Sequence, residues 1–129
     1  MSDKGSSGSG TDPLLAPVSE LVRLLDARKI SALELLDLQL ARLRAVNPTV
    51  NAVVALDEDG ARRQARAADE ARAAGRSLGP LHGVPMTIKD TYEVVGMPAT
   101  GGFVALRDHR PTRDADLVES VRAAGAVIF

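Results

Sequence analysis

Lys4, Lys29 and Lys89 are the only lysines among 16 basic residues; the rest are arginine. Lys89 closes a run in which Val84, Met86 and Ile88 alternate with Pro85, Thr87 and Lys89. That period of two reads as a strand with its apolar residues on one face and Lys89 on the other. A strand end opening onto glycine-rich turns is where α/β proteins place reacting groups. A desolvated lysine sheds its proton readily, whereas arginine is a base at no working pH. On the residues alone two readings of Lys89 stand. It is a proton acceptor at such a strand end, or a lysine whose stem covers apolar surface while its head stays in water.

The other polar candidates read as structural. His82 lies in the turn before the strand with no Ser or Cys nucleophile motif beside it, which points to a hydrogen-bonded structural histidine. His109, in the polar stretch Arg107-Asp-His-Arg-Pro111, reads as solvated. Two histidines so placed make no metal site, and no helix carries paired ligands at zinc spacing, so neither metal nor cofactor is expected. Asp90 should point away from Lys89 and hold its turn through backbone contacts. Thr100-Gly-Gly102 lacks the lysine and spacing of a phosphate-binding loop and reads as a tight loop beside a pocket. Ser120, the only serine after Lys89, sits in a helical pattern without flanking glycines and reads as a surface residue.

The elements that must position these groups alternate helix and strand. Residues 1–12 read as a flexible Ser/Gly-rich tail and residues 13–129 as the ordered part. A first helix is expected over Val18–Ile30. Ser31-Ala-Leu-Glu34 has the form of a capping box. It opens a second helix with Leu33, Leu36, Leu40 and Leu43 as its stripe, stopped at Asn47-Pro48. Val50–Leu56 suits a buried strand. Asp57–Gly60 starts a helix faced by Ala61, Ala65 and Ala68 and closed by Gly75, with Arg62, Arg63, Arg66 and Arg72 turned to solvent. After a Gly79-Pro80 turn come the lysine strand, a strand around Tyr92–Val95 and a glycine turn at 98–102. A last helix runs from Asp114 or Asp116 to Ala124, with Leu117, Val118 and Val121 inward, and Ala126–Phe129 is a buried strand. The pattern argues α/β architecture. A buried-type strand ending on Ile128-Phe129 further reads as the front part of a larger domain.

Composition narrows the function classes. The chain is 129 residues, 45% hydrophobic and 26% charged, which excludes collagen-like and wholly disordered sequence. A net charge of −1 leaves no basic stripe for a phosphate backbone, so direct nucleic-acid binding is not expected. Zero cysteines remove disulfides, Cys-based zinc sites and thiol nucleophiles, in keeping with a cytoplasmic setting. No apolar run approaches the roughly 20 residues a membrane span needs, and the start lacks a secretory apolar core, so no membrane partner is expected.

The segment Gly79-Pro-Leu-His-Gly-Val-Pro-Met-Thr-Ile-Lys-Asp90 resembles the lysine motif of the amidase signature family, the Ser-cisSer-Lys amide hydrolases. Ser31–Glu34, Asn47-Pro-Thr-Val-Asn-Ala52 and Ala65–Asp69 upstream resemble the family's opening elements. Gly96-Met-Pro-Ala-Thr-Gly-Gly102, Asp114-Ala115 and Ala124-Gly-Ala-Val-Ile128 follow in its order, so the likeness covers about Pro17 to Phe129. It implies the N-terminal part of the amidase signature fold, helices packed on a mixed sheet, incomplete in this chain. It also implies that Lys89 is catalytic: in the family a neutral lysine takes a proton from a serine held by a cis peptide. That serine deprotonates a second serine, which attacks the amide carbonyl. Both serines and the oxyanion loop are expected beyond Phe129, so this chain alone is expected to be inactive. Phe103 departs from the pattern, standing where many members carry serine. The parent reaction implied is hydrolysis of a small-molecule carboxylic amide to acid and ammonia or amine, and an oligomer is compatible with it. Two alternatives are the amidase subunit of a tRNA-dependent amidotransferase, and a truncated, non-catalytic fragment or interaction module.

Overall fold

The computed structural model describes residues 12–129, so nearly all of the expected Ser/Gly-rich tail lies outside the described residues. Helix α1 (Val18–Asp26) is shorter than its apolar pattern, because Arg28 turns into the left-handed region at φ 53°. The Lys29 amide then donates to the Leu24 carbonyl at 2.9 Å and Arg28 to Leu25 at 3.0 Å, the paired bonds of a Schellman ending. Ile30 packs on the core from the connection that follows.

Helix α2 (Ala32–Val50) opens with the capping box intact. Ser31 Oγ accepts from Glu34 N at 3.1 Å, and the Glu34 carboxylate accepts from Ser31 N at 2.8 Å. A second cap comes from far along the chain: Asp69 Oδ1 and Oδ2 accept from Ala32 N and Leu33 N at 2.7 and 3.1 Å. Leu36 and Leu40 are fully buried, as are Ala32 and Leu35, while Leu33 and Leu43 lie at the edge of the same cluster.

The expected stop at Asn47-Pro48 is overrun by a few residues. Pro48 falls in the last turn, where its missing N–H removes little, and Asn51 ends the helix at φ 48°. The Asn47 side chain spans that ending, donating to Val53 O at 2.8 Å and accepting from Val53 N at 2.9 Å. The same pair explains why Val50–Leu56 is not a buried strand. Residues 51–57 carry no regular structure, and Val50 and Val54 are 60% and 63% exposed. A β-branched run becomes a strand only against a neighbour, and here Val53 spends both main-chain groups on a side chain.

Helix α3 (Glu58–Ala73) starts at Asp57, whose carboxylate accepts from Gly60 N at 2.9 Å. Ala61, Ala65, Ala68 and Ala71 are all buried, which lets α3 lie close against α2. Of its arginines, Arg63 and Arg66 face solvent as expected. Arg62 pairs with Asp37 and Glu58. Arg72 corrects the expectation: its side chain is largely buried and donates to the His82 carbonyl at 2.8 Å.

Strands β1 (Pro85–Met86) and β2 (Val127–Ile128) form a parallel pair with Pro85 opposite Val127 and Met86 opposite Ile128. Helix α4 (Asp116–Ala123) leads into β2. Its ending, with Gly125 at φ 89°, packs on the loop before β1: Leu81 N donates to Ala124 O at 2.7 Å and Gly83 N to Gly125 O at 2.8 Å. Gly79 must be glycine there, since φ is 127° and a Cβ would stand 2.6 Å from the Ala124 oxygen.

Two apolar clusters flank the pair. Val84, Val127 and Phe129 join the α1–α2–α3 core, while Ile128 joins Val94 and Val118. The lysine strand is shorter than its alternation, and its apolar residues do not share one face: Met86 packs on the first cluster and Ile88 on the second. Beyond Met86 no ladder among the described residues holds the pleat. The strand expected at Tyr92–Val95 is absent for a similar reason, its hydrogen bonds going to the approach to α4: Ala115 N donates to Glu93 O at 2.9 Å. Leu117 is exposed rather than inward, leaving Val118 as the buried residue of α4. Residues 101–110 are exposed throughout and include an unanticipated 3₁₀ turn at Val104–Leu106.

Candidate active site

Where β1 runs out, the chain from Thr87 to Tyr92 forms one wall of a cavity of about 690 Å³. Val53, Val54, Ala55, Met97, the 100–102 turn, Ile128 and Phe129 also take part in the lining. Most of that surface is apolar. Among the described residues of the lining, Lys89 is the only cationic side chain and Asp90 the only anionic one.

Asp90 has an assigned duty. Its Oδ2 accepts from the Thr100 hydroxyl at 2.7 Å, and its carboxylate faces the amides of the following glycines. Above all the Thr100 hydroxyl, then the backbone amides of Thr100, Gly101 and Gly102, hold the Asp90 carboxyl below the usual aspartate range. Gly101 and Gly102, at φ 55° and 80°, close the turn that this carboxylate secures. Asp90 therefore holds a turn, as expected, but the one ten residues later rather than its own.

Lys89 reaches the cavity as an exposed side chain, with no hydrogen bond or ion pair to its ammonium group among the described residues. These residues do not supply the desolvation that a neutral lysine needs. Nor do they supply a nucleophile: the hydroxyls of the lining belong to Thr87, Thr91, Tyr92 and Thr100, and no Ser, Cys or His is among them. Ser120 is not among the lining residues and donates to Asp116 O at 2.9 Å on the surface of α4.

The histidines follow their structural readings. His82 is 6% exposed; Nδ1 accepts from Leu78 N at 3.2 Å and Nε2 lies 2.8 Å from Ala68 O, which fixes the tautomer with its proton on Nε2. His109 pairs with Glu93 at the surface. No group of His, Asp or Glu suited to a metal ion occurs among the described residues. No helix among them is long and apolar enough to cross a membrane. What sequence reasoning missed is the set of side chains working at long separation, namely Asp69 on α2, Asp90 on Thr100 and Gln64 on β2. Asp69 and Asp90 lie in segments that carried the resemblance, but no periodic signal points to the partners that they and Gln64 take.

The chain is similar to known proteins over most of its length. A family model described as Amidase matches residues 34–129. A glutamyl-tRNA(Gln) amidotransferase subunit from Acidothermus cellulolyticus is 45% identical over 110 residues, covering 85% of this chain and 22% of that protein. The indoleacetamide hydrolase of Bradyrhizobium diazoefficiens is 44% identical over 100 residues, 78% of this chain and 19% of that one. Native peptide amidase from Stenotrophomonas maltophilia superposes with a TM-score of 0.83 at 35% identity, over 89% of this chain and 24% of its own. The chain thus spans about a fifth of the length of the curated relatives it matches.

Proposed function

This chain belongs to the amidase family, and from that premise we propose that Lys89 is the proton acceptor of an enzyme hydrolysing a small-molecule carboxylic amide to acid and ammonia or amine. The observation that carries the reading is its place: among the described residues it is the one cationic side chain in the lining of the cavity at the end of β1, beside a glycine turn pinned by Asp90. A neutral amine there takes the proton of a serine hydroxyl, which in turn deprotonates a second serine as it attacks the amide carbon. The nitrogen leaves with a returned proton, and water then releases the acid from the acyl-enzyme. Both serines, the oxyanion donors and the cover that dries Lys89 have to come from polypeptide outside residues 12–129. The chain alone is inactive on this reading.

The test is Lys89→Arg in the complete product of the coding frame. Turnover is expected to fall by about a thousandfold, the scale of a lost general base, with the fold intact by circular dichroism. Turnover at the wild-type rate in that variant removes the assignment.

A second reading, the amidase subunit of a tRNA-dependent amidotransferase, is favoured by the likeness to the Acidothermus protein. It differs in one readout: ammonia released from glutamine would reach product only with the partner subunits present. Release of free ammonia from simple amides without partners speaks for the stand-alone hydrolase.

A further inference from the structure

Gln64 lies at the middle of α3, where a polar side chain would ordinarily turn to water, yet it reaches β2. Its Oε1 accepts from Ile128 N at 3.2 Å and its Nε2 donates to Ile128 O at 3.3 Å. The amides of Val127 and Phe129 donate to Val84 and Met86, so Ile128 points its own main-chain groups away from β1, and Gln64 fills that outer edge as a neighbouring strand would. Oε1 also accepts from Arg122 Nη1 at 3.2 Å. Arg122 Nε donates to Asp114 Oδ2 at 2.7 Å, and Asp114 Oδ1 accepts from Val95 N at 2.7 Å. One chain of hydrogen bonds therefore joins α3, β2, α4 and the residues after Lys89. The two segments it ends on carry Ile128 and Val94, which pack together and line the Lys89 cavity.

We propose that Gln64 is a positioning residue for this cavity, acting through Ile128 and, by way of Arg122 and Asp114, through Val95. Only a carboxamide serves here. Ile128 presents one donor and one acceptor, and a side chain must offer the complement of both while leaving an oxygen for Arg122. Gln64→Glu sets a carboxylate oxygen against Ile128 O, and that repulsion turns the variant side chain off β2, so the bonds from Ile128 N and Arg122 are lost with it. Arg122→Met severs the link to Asp114 and leaves the Ile128 pairing in place.

Amide hydrogen exchange on the chain itself separates these steps, because it follows each N–H individually. Gln64→Glu is expected to speed exchange at Ile128 and Val95 by about tenfold, the scale of one net hydrogen bond, with the amides of α3 unchanged. Arg122→Met is expected to speed Val95 by a similar factor and leave Ile128 as it was. Equal acceleration of every amide in either variant would mean a general loss of stability and overturn the proposal, as would unchanged exchange at Val95 in both. The consequence for catalysis rests on the Lys89 reading: in the complete enzyme Gln64→Glu lowers kcat with KM unchanged. Exchange that responds while kcat does not retains the relay and counts against the Lys89 reading, so the two failures are distinguishable.

Discussion

The helical layer of residues 18–76 and the segment of residues 87–113 are built on different terms. In the first, each helix has its own start or stop: Ser31 and Glu34 open α2, Asp57 opens α3, and α1 ends at Arg28. Its leucines and alanines meet in one cluster from which water is excluded. In the second there is no element longer than a 3₁₀ turn, and Phe103, Val104 and Leu106 stand in solvent. Single side chains hold its backbone: Asp90 secures the Thr100 turn and Asp114 takes the Val95 amide. The helical layer is fixed by burial spread over many residues, and the cavity wall by a few polar bonds and a small apolar cluster in which Ile88, Val94 and Met97 take part. A wall of that kind is the part that further polypeptide or a ligand can rearrange at low cost.

The comparison breaks most visibly at Leu36. It is fully buried, and Leu36→Ala should cost about 2–5 kcal/mol in urea unfolding, the range for a large-to-small change in a packed core. Phe103→Ala, in the other region and 70% exposed, should stay within about 0.5 kcal/mol. Equal costs at the two sites would show that the distinction is not energetic. Next in size is the cap. Ser31→Ala should cost at most about 1 kcal/mol, because Asp69 still takes two of the amides at the start of α2. A larger loss would place the capping work on Ser31 rather than Asp69.

The smallest effect sharpens the other side. The Asp90 carboxyl sits below its usual range when folded, so its stabilising contribution is complete above the ordinary aspartate pKa and fades as the pH falls through the lowered value. The amide signals of Gly101 and Gly102 should therefore shift in that acid window while those of α2 and α3 hold. Asp90→Asn should remove the titration, and a shift that persists in the variant assigns it to another group.

Much of the helical layer was legible because its signals are local. Ser31 and Glu34 are three residues apart, Gly75 and Gly125 stand where helices end, and alanines at steps of four and three on α3 announce a face that packs closely. Lys89 could be singled out because lysine is rare in this chain and stands at the end of an alternating run, and its segment carried the family resemblance. The buried strand expected at Ala126–Phe129 is present as β2, but two other strands failed where the helices succeeded. Val50–Leu56 and Tyr92–Val95 have the composition of strands, but a strand is completed by a neighbour, and their main-chain groups went to Asn47, Asp114 and the approach to α4. Pro48 misled in the opposite sense, since a proline in the final turn removes too little to end a helix that Asn51 ends shortly after.

By itself, then, the amino-acid sequence determined the existence of the helices and the local caps at Ser31 and Asp57, and it singled out one lysine, because those signals lie within a turn of each other. Tertiary structure alone decided which expected strands fail, that Arg72 turns inward, that Asp90 works on Thr100 and that Gln64 braces β2. Those bonds join residues 10 to 64 positions apart. The energy of each depends on a partner that only the folded chain brings within reach, and no periodicity records it beforehand.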